Sequence, residues 1–126
     1  MSTILIVEDN EKNMKLLRDI LQHEGHATLE AGTGAEGVRL ALAECPDMVL
    51  MDIQLPDIDG MQALRQIREE RALDATPILA VSASVMPDEQ QKVVDSGFDA
   101  FITKPIELKN FRETVRRFLA LGRKKP

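Results

Sequence analysis

At three places in this chain charged groups stand where short apolar runs end: Glu8-Asp9 after Ile4-Leu5-Ile6-Val7, Asp52 after Met48-Val49-Leu50-Met51, and Lys104-Pro105 after Phe101-Ile102. Runs of this length suit buried strands, and in an open parallel α/β sheet the ligand site lies outside the carboxyl ends of the strands. Acids and a lysine carried on several strand ends therefore converge on one crevice. Carboxylates gathered in this way repel one another and raise each other's pKa unless something positive is held among them. Mg²⁺, a hard cation that prefers an octahedral shell of oxygens and keeps several waters, suits such a cluster.

The elements that must position these groups are legible as alternating patterns. Apolar runs too short for buried helices alternate with stretches of helical period, the signature of βαβ units. Strands are expected near 3–8, 27–31, 47–51, 77–82 and 99–103. Met14, Leu17, Ile20 and Leu21 mark one helical face, Ala35, Val38, Ala41 and Leu42 a second, and Met61, Leu64 and Ile67 a third. A shorter fourth helix starts at Pro87, whose fixed φ suits a first helical position. The last carries Leu108, Phe111, Val115, Phe118 and Leu119 at spacings of three and four, with Arg112, Arg116 and Arg117 largely outside the stripe. Gly25 can close the first helix in a left-handed cap, and Asp59 with Gln62 has cap spacing for the third. Five strands alternating with five helices predict a doubly wound α/β sheet of flavodoxin-like order 2-1-3-4-5. Its switch point lies between the first and third strands, whose ends carry Glu8-Asp9 and Asp52.

Composition bounds the rest. A chain of 126 residues is one domain, and by size scaling it buries roughly two-thirds of its unfolded surface. A net charge of −5 argues against a general affinity for nucleic acid, which runs on clustered Lys and Arg. The one basic run, Arg123-Lys124-Lys125, reads as a solvated end. A single cysteine, Cys45, makes no intramolecular disulfide, and there is no signal-peptide pattern at the start, so a cytoplasmic protein is expected. No apolar stretch is long enough to insert in a membrane. Without Trp or Tyr, the usual stacking platforms for flavins and single strands are missing.

Taken together, Leu5-Ile6-Val7-Glu8-Asp9-Asn10, Met51-Asp52-Ile53-Gln54-Leu55-Pro56, Asp59-Gly60, Val81-Ser82-Ala83 and Lys104-Pro105 resemble the receiver domain of two-component response regulators. The resemblance spans essentially the whole chain: residues 1–122 as receiver domain, 123–126 as a short basic tail, and no output domain. Within the family the segments 4–16 and 51–56 look most like the DivK type of cell-cycle regulator, a single-domain form.

The resemblance implies that Asp52 accepts a phosphoryl group from a phosphohistidine on a histidine kinase or histidine phosphotransfer protein. It implies Mg²⁺ as cofactor, held directly by Asp9, Asp52 and the backbone carbonyl of Gln54, with Glu8 acting through water. Lys104 and Ser82 would each contact a phosphoryl oxygen, and Ser82 and Phe101 would form the switch; the ring of Phe101 has no hydroxyl, and its plainer role is core packing. The Lys104-Pro105 bond is expected to be cis, against the general preference for trans. Output is expected as phosphorylation-dependent contact with a downstream signalling protein, through a surface around Val85, Met86, Phe101, Ile106 and Leu108. The protein is expected to be a monomer or weak dimer and no enzyme in the ordinary sense, catalysing only its own phosphoryl transfer and autodephosphorylation.

Other readings of the same residues are weaker. Gly32-Thr33-Gly34-Ala35-Glu36-Gly37 matches G-x-G-x-x-G, with Asp52 and Asp57 near the distance of a ribose-binding acid. Its strand lies at the sheet edge, however, and Thr33 with Glu36 is better read as a capping box. A haloacid-dehalogenase-type phosphatase needs a second aspartate where this chain has Gln54. A flavodoxin would meet Glu8-Asp9 where its FMN phosphate should sit. A pseudo-receiver would not retain acceptor, acidic pair, hydroxyl and lysine together. His23 and His26 lack the spacing of a helical zinc pair. The methionines read as core filler, Cys45 as a small apolar residue at a helix end, and Asp9 alone as a helix cap beside Asn10.

Overall fold

The structure, a computed structural model, describes residues 2–55, 57–58, 60–83 and 87–122. The strands are β1 (Thr3–Val7), β2 (Ala27–Ala31), β3 (Met48–Asp52), β4 (Ile78–Ala83) and β5 (Ala100–Lys104). The helices are α1 (Glu11–His23), α2 (Gly34–Glu44), α3 (Gly60–Arg68), α4 (Pro87–Asp95) and α5 (Leu108–Leu121), with a short 3₁₀ turn at Arg71–Leu73. All strand pairs are parallel, in the order β2-β1-β3-β4-β5. The expected strands stand within a residue of their places. Pro56 of the motif, the expected Asp59 cap, Val85, Met86 and the basic tail lie outside the described residues.

Each inner strand is buried on both faces, so successive residues serve two different cores. Leu5, Val7, Val49, Met51, Ile78 and Ala80 face the side covered by α2 and α3, with Val38, Ala63, Leu64 and Ile67. Ile4, Ile6, Met48, Leu50, Leu79, Val81 and Ile102 face the α1 and α5 side, with Met14, Leu17, Phe111, Val115 and Phe118. This double burial produces the near-continuous apolar runs that signal a parallel sheet.

The helix ends show local chemistry. Gly25, at φ +91°, closes α1: its amide donates to Gln22 O (3.0 Å) and that of His26 to Leu21 O (3.0 Å), the paired bonds of a Schellman cap. Asn10, not Asp9, caps the start of α1 by accepting from Asn13 N at 3.1 Å. Glu24, just past α1, binds Arg112 and Arg116 of α5, whose charges hold its carboxyl below the usual range.

The face expected for α2 needs correction. Ala35 and Leu42 are exposed, and the buried positions are Gly34, Gly37, Val38 and Ala41. A methyl on Gly37 would stand 2.7 Å from Val7 Cγ2. The helix therefore lies so close to β1 that Gly37 supplies the contact. Leu108 is also outside the core, at 48% exposure. Cys45 stands at the end of α2, as expected, capping it in the left-handed region (φ +45°) with its thiol exposed.

Candidate functional site

The carboxyl ends of β1, β3 and β5 meet at one edge of the sheet. Val7 pairs with Met51, so the next residues, Glu8 and Asp52, leave their strands side by side. Across β4, Asp52 pairs with Val81 and Ala83 with Lys104, which brings the lysine to the same end. The Glu8 amide donates to Ala31 O at 2.9 Å, holding this rim against β2. Asn10 N then donates to Glu8 Oε2 at 3.1 Å and turns that side chain inward. With Asn10 serving as the cap, Asp9 is left exposed and available.

Asp52 Oδ1 accepts from Gln54 N at 2.8 Å and Oδ2 from Lys104 Nζ at 2.9 Å. The same ammonium stands 2.7 Å from Glu8 Oε1. Glu8 and Asp52 are nearly buried, at 3% and 6% exposure. Burial pushes the Glu8 carboxyl above its ordinary value; the Lys104 contact and the Asn10 amide oppose this, and the charge of Asp52 reinforces it. For Lys104 burial works downward, but its two carboxylate partners outweigh it and the ammonium is raised. The positive charge that gathered acids require is thus supplied in part by the chain itself.

Glu8 Oε1 faces the Lys104 ammonium, and the Asn10 amide holds Oε2. Ligand oxygens of Glu8, Asp9 and Asp52 lie within 4.8 Å of one another. Two buried acids and one exposed acid form an all-oxygen set that fits Mg²⁺ and leaves an open side for water.

Ser82 is buried on β4, one residue beyond the partner of Asp52. Phe101 is half-buried and packs with the α2/α3 core, in keeping with its plainer role. The Lys104-Pro105 bond is cis. Gln54 enters the site through its amide, a donor role that its position in sequence did not reveal. Asp57, weighed above only as a ribose-binding acid, instead accepts from Gly34 N (2.8 Å) and Ala35 N (2.9 Å) at the start of α2. The anion-binding end that a G-x-G-x-x-G motif would offer a phosphate is therefore filled from within.

A five-stranded parallel sheet in this order, with acids and a lysine at the switch point, defines a class, and the chain belongs to it: the response regulator receiver domain family, whose model matches residues 4–116. Among its relatives is the polar-differentiation response regulator DivK of Brucella ovis, 38% identical over 117 residues that cover 93% of this chain and 95% of that protein. The receiver domain of the sensor histidine kinase PA1611 from Pseudomonas aeruginosa, which has a magnesium ion coordinated in its active-site cleft, is 28% identical with a TM-score of 0.87, covering 94% of this chain and 98% of that one. A CheY-like receiver domain protein from Methanospirillum hungatei is 27% identical with a TM-score of 0.86, over 95% and 94% of the two chains. No helix among the described residues is long and apolar enough to cross a membrane.

Proposed function

We propose that this receiver domain carries a phosphoryl group on Asp52, taken from a phosphohistidine of a histidine kinase or phosphotransfer protein, and signals through the change in protein contacts that follows. The observation that carries the proposal is the seating of the Asp52 carboxylate between Lys104 Nζ and Gln54 N, beside Glu8 and Asp9.

In the transfer, an Asp52 oxygen forms a bond to phosphorus as the bond from phosphorus to the histidine nitrogen breaks. The imidazole nitrogen keeps the electron pair and takes up a proton. A carboxylate is an adequate nucleophile when it is held in line and the charge on the transferring oxygens is offset. Asp9, Asp52, the Gln54 carbonyl and, through water, Glu8 would hold Mg²⁺, which when bound neutralises charge on those oxygens. Lys104 already stands at Asp52 and can pass from a carboxylate to a phosphoryl oxygen as a compact point charge. Ser82 would bind a second phosphoryl oxygen, and its movement would be followed by Phe101. Attack by water on the same phosphorus would release phosphate and restore Asp52, so the only turnover expected is autodephosphorylation.

Output would pass through the surface bearing Phe101, Ile106 and exposed Leu108 to a downstream signalling protein. The kinship with DivK supports a role in cell-cycle or cell-fate control, with the receiver acting as a cytoplasmic monomer or weak dimer. Intact-mass measurement after incubation with a small phosphodonor and Mg²⁺ tests the reading. Wild type should gain one hydroxylamine-labile phosphoryl group, Asp52→Asn none, and Asp9→Asn should gain it slowly with weakened Mg²⁺ binding. Equal, stable labelling of Asp52→Asn would overturn the assignment.

A further inference from the structure

Between β3 and α3 the described residues, 53–55 and 57–58, carry Gln54 in a stretch without helix or strand. Three contacts tie it down. The Asp57 carboxylate spans the first two amides of α2, Gly34 N and Ala35 N, while Thr33 Oγ1 takes the amide of Glu36 at 3.2 Å. Ile58 fills the notch above Gly34, where a methyl group would collide with Ile58 Cγ1 and approach Asp57 Oδ1 to 3.3 Å. Gly60 N donates to Ile53 O at 3.1 Å, and a methyl on Gly60 would meet Ile53 Cα at 2.7 Å. Asp57 is itself exposed, so packing of its side chain in a core does not explain its place. Its two amide bonds, from Ala35 and Gly34, hold its carboxyl below the ordinary range, as expected for an anion at a helix N-terminus.

We propose that Asp57 is a positioning residue for the Mg²⁺ centre: by anchoring the chain three residues beyond Gln54 to the start of α2, it would hold the Gln54 carbonyl in place for the ion. The inference rests on the metal reading given above. It also assigns a use to the G-x-G-x-x-G segment. Gly34 admits Ile58, Gly37 admits Val7, and the helix end receives an internal carboxylate in place of a nucleotide phosphate. Outer partners of metal ligands commonly govern affinity because they set where the ligands stand.

The experiment measures Mg²⁺ binding calorimetrically in wild type, Asp57→Ala, Asp57→Asn, Gly34→Ala and Asp9→Asn, with amide exchange at Gly34, Ala35 and Gln54 followed in the same proteins without metal. Asp57→Ala should weaken Mg²⁺ roughly 10-fold and speed exchange at all three amides. Asp57→Asn, which keeps an acceptor oxygen, should recover most of the affinity. Gly34→Ala, which retains Asp57 but displaces both Ile58 and the carboxylate, should weaken binding as Asp57→Ala does. If Asp57→Ala does not fold, the Asn and Gly34 variants decide. Faster exchange at Gly34 and Ala35 with unchanged Mg²⁺ affinity would make Asp57 a helix cap only and overturn the proposal. Wild type that binds no Mg²⁺, or binds it as Asp9→Asn does, would overturn the metal reading and this inference with it.

Discussion

Replacing Lys104 with Met tests whether the chain supplies its own counter-charge. Methionine keeps an unbranched apolar stem of similar reach but loses the ammonium that stands 2.7 Å from Glu8 and 2.9 Å from Asp52. At an effective dielectric near 20, each such contact is worth about 6 kcal/mol of gross attraction. Most of that repays desolvation, and removing one partner of a fully buried pair costs about 3–5 kcal/mol. The Lys104 side chain retains 18% exposure, so the expected loss is roughly 2–4 kcal/mol. This corresponds to a fall in Tm of about 10 °C for a chain of this size. The assay is thermal unfolding at neutral pH in a chelator, repeated with Mg²⁺. At about 100 times its Kd, Mg²⁺ adds ~2.7 kcal/mol by linkage. It should help the variant more than wild type, because no ammonium then competes for the carboxylates. The pH dependence follows from Glu8. Its folded carboxyl lies above the ordinary 4.5, so the native state binds more protons than the unfolded one between 4.5 and the folded value. The stabilisation is present below that interval and lost as pH rises through it. Removing Lys104 extends the interval upward, so variant and wild type should converge toward acid. A Lys104→Met protein as stable as wild type in chelator at neutral pH would refute the reasoning.

Glu8→Gln should act in the opposite direction: it removes a buried carboxylate whose raised pKa disfavours the charged form, so the metal-free protein should melt higher at neutral pH and its stability should fall less between pH 4.5 and neutral. A lower melting point than wild type under those conditions would contradict this. Gly37→Ala sets about 1 kcal/mol of improved helix preference against roughly 1–3 kcal/mol of overpacking on Val7, and urea unfolding should show a net loss. The same change in a Val7→Ala background should cost less, since the methyls it strikes are gone; identical costs in the two backgrounds would remove Val7 as the cause.

The element order and the meeting of Glu8, Asp9, Asp52 and Lys104 were legible because strand-end charge after apolar runs is a local pattern and the topology follows from alternation. The side of the sheet each residue serves was not, since strands buried on both faces show no period of two. Ala35 and Leu42 were placed inward by helical spacing alone, but α2 meets Ile58 through Gly34 and Val7 of β1 through Gly37, and a glycine has no apolar signal to read. The clasp of Glu24 by Arg112 and Arg116, and the bonds of Asp57 to α2, join residues far apart in sequence, where composition and spacing offer no guide. The chain's own ammonium between Glu8 and Asp52 was likewise hidden: sequence placed Lys104 near the acids as a contact for a later phosphoryl group, and only geometry shows it already paired.

The two apolar clusters share a backbone but no side chains. A replacement among Leu17, Phe111 and Val115 asks for adjustment from neighbours on its own face, while Val38, Leu64 and Ile67 are screened from it by a full layer of sheet. Substitutions on one flank should therefore add, in stability, to those on the other. The acids and the lysine, carried on strand ends between the two flanks, belong to neither cluster.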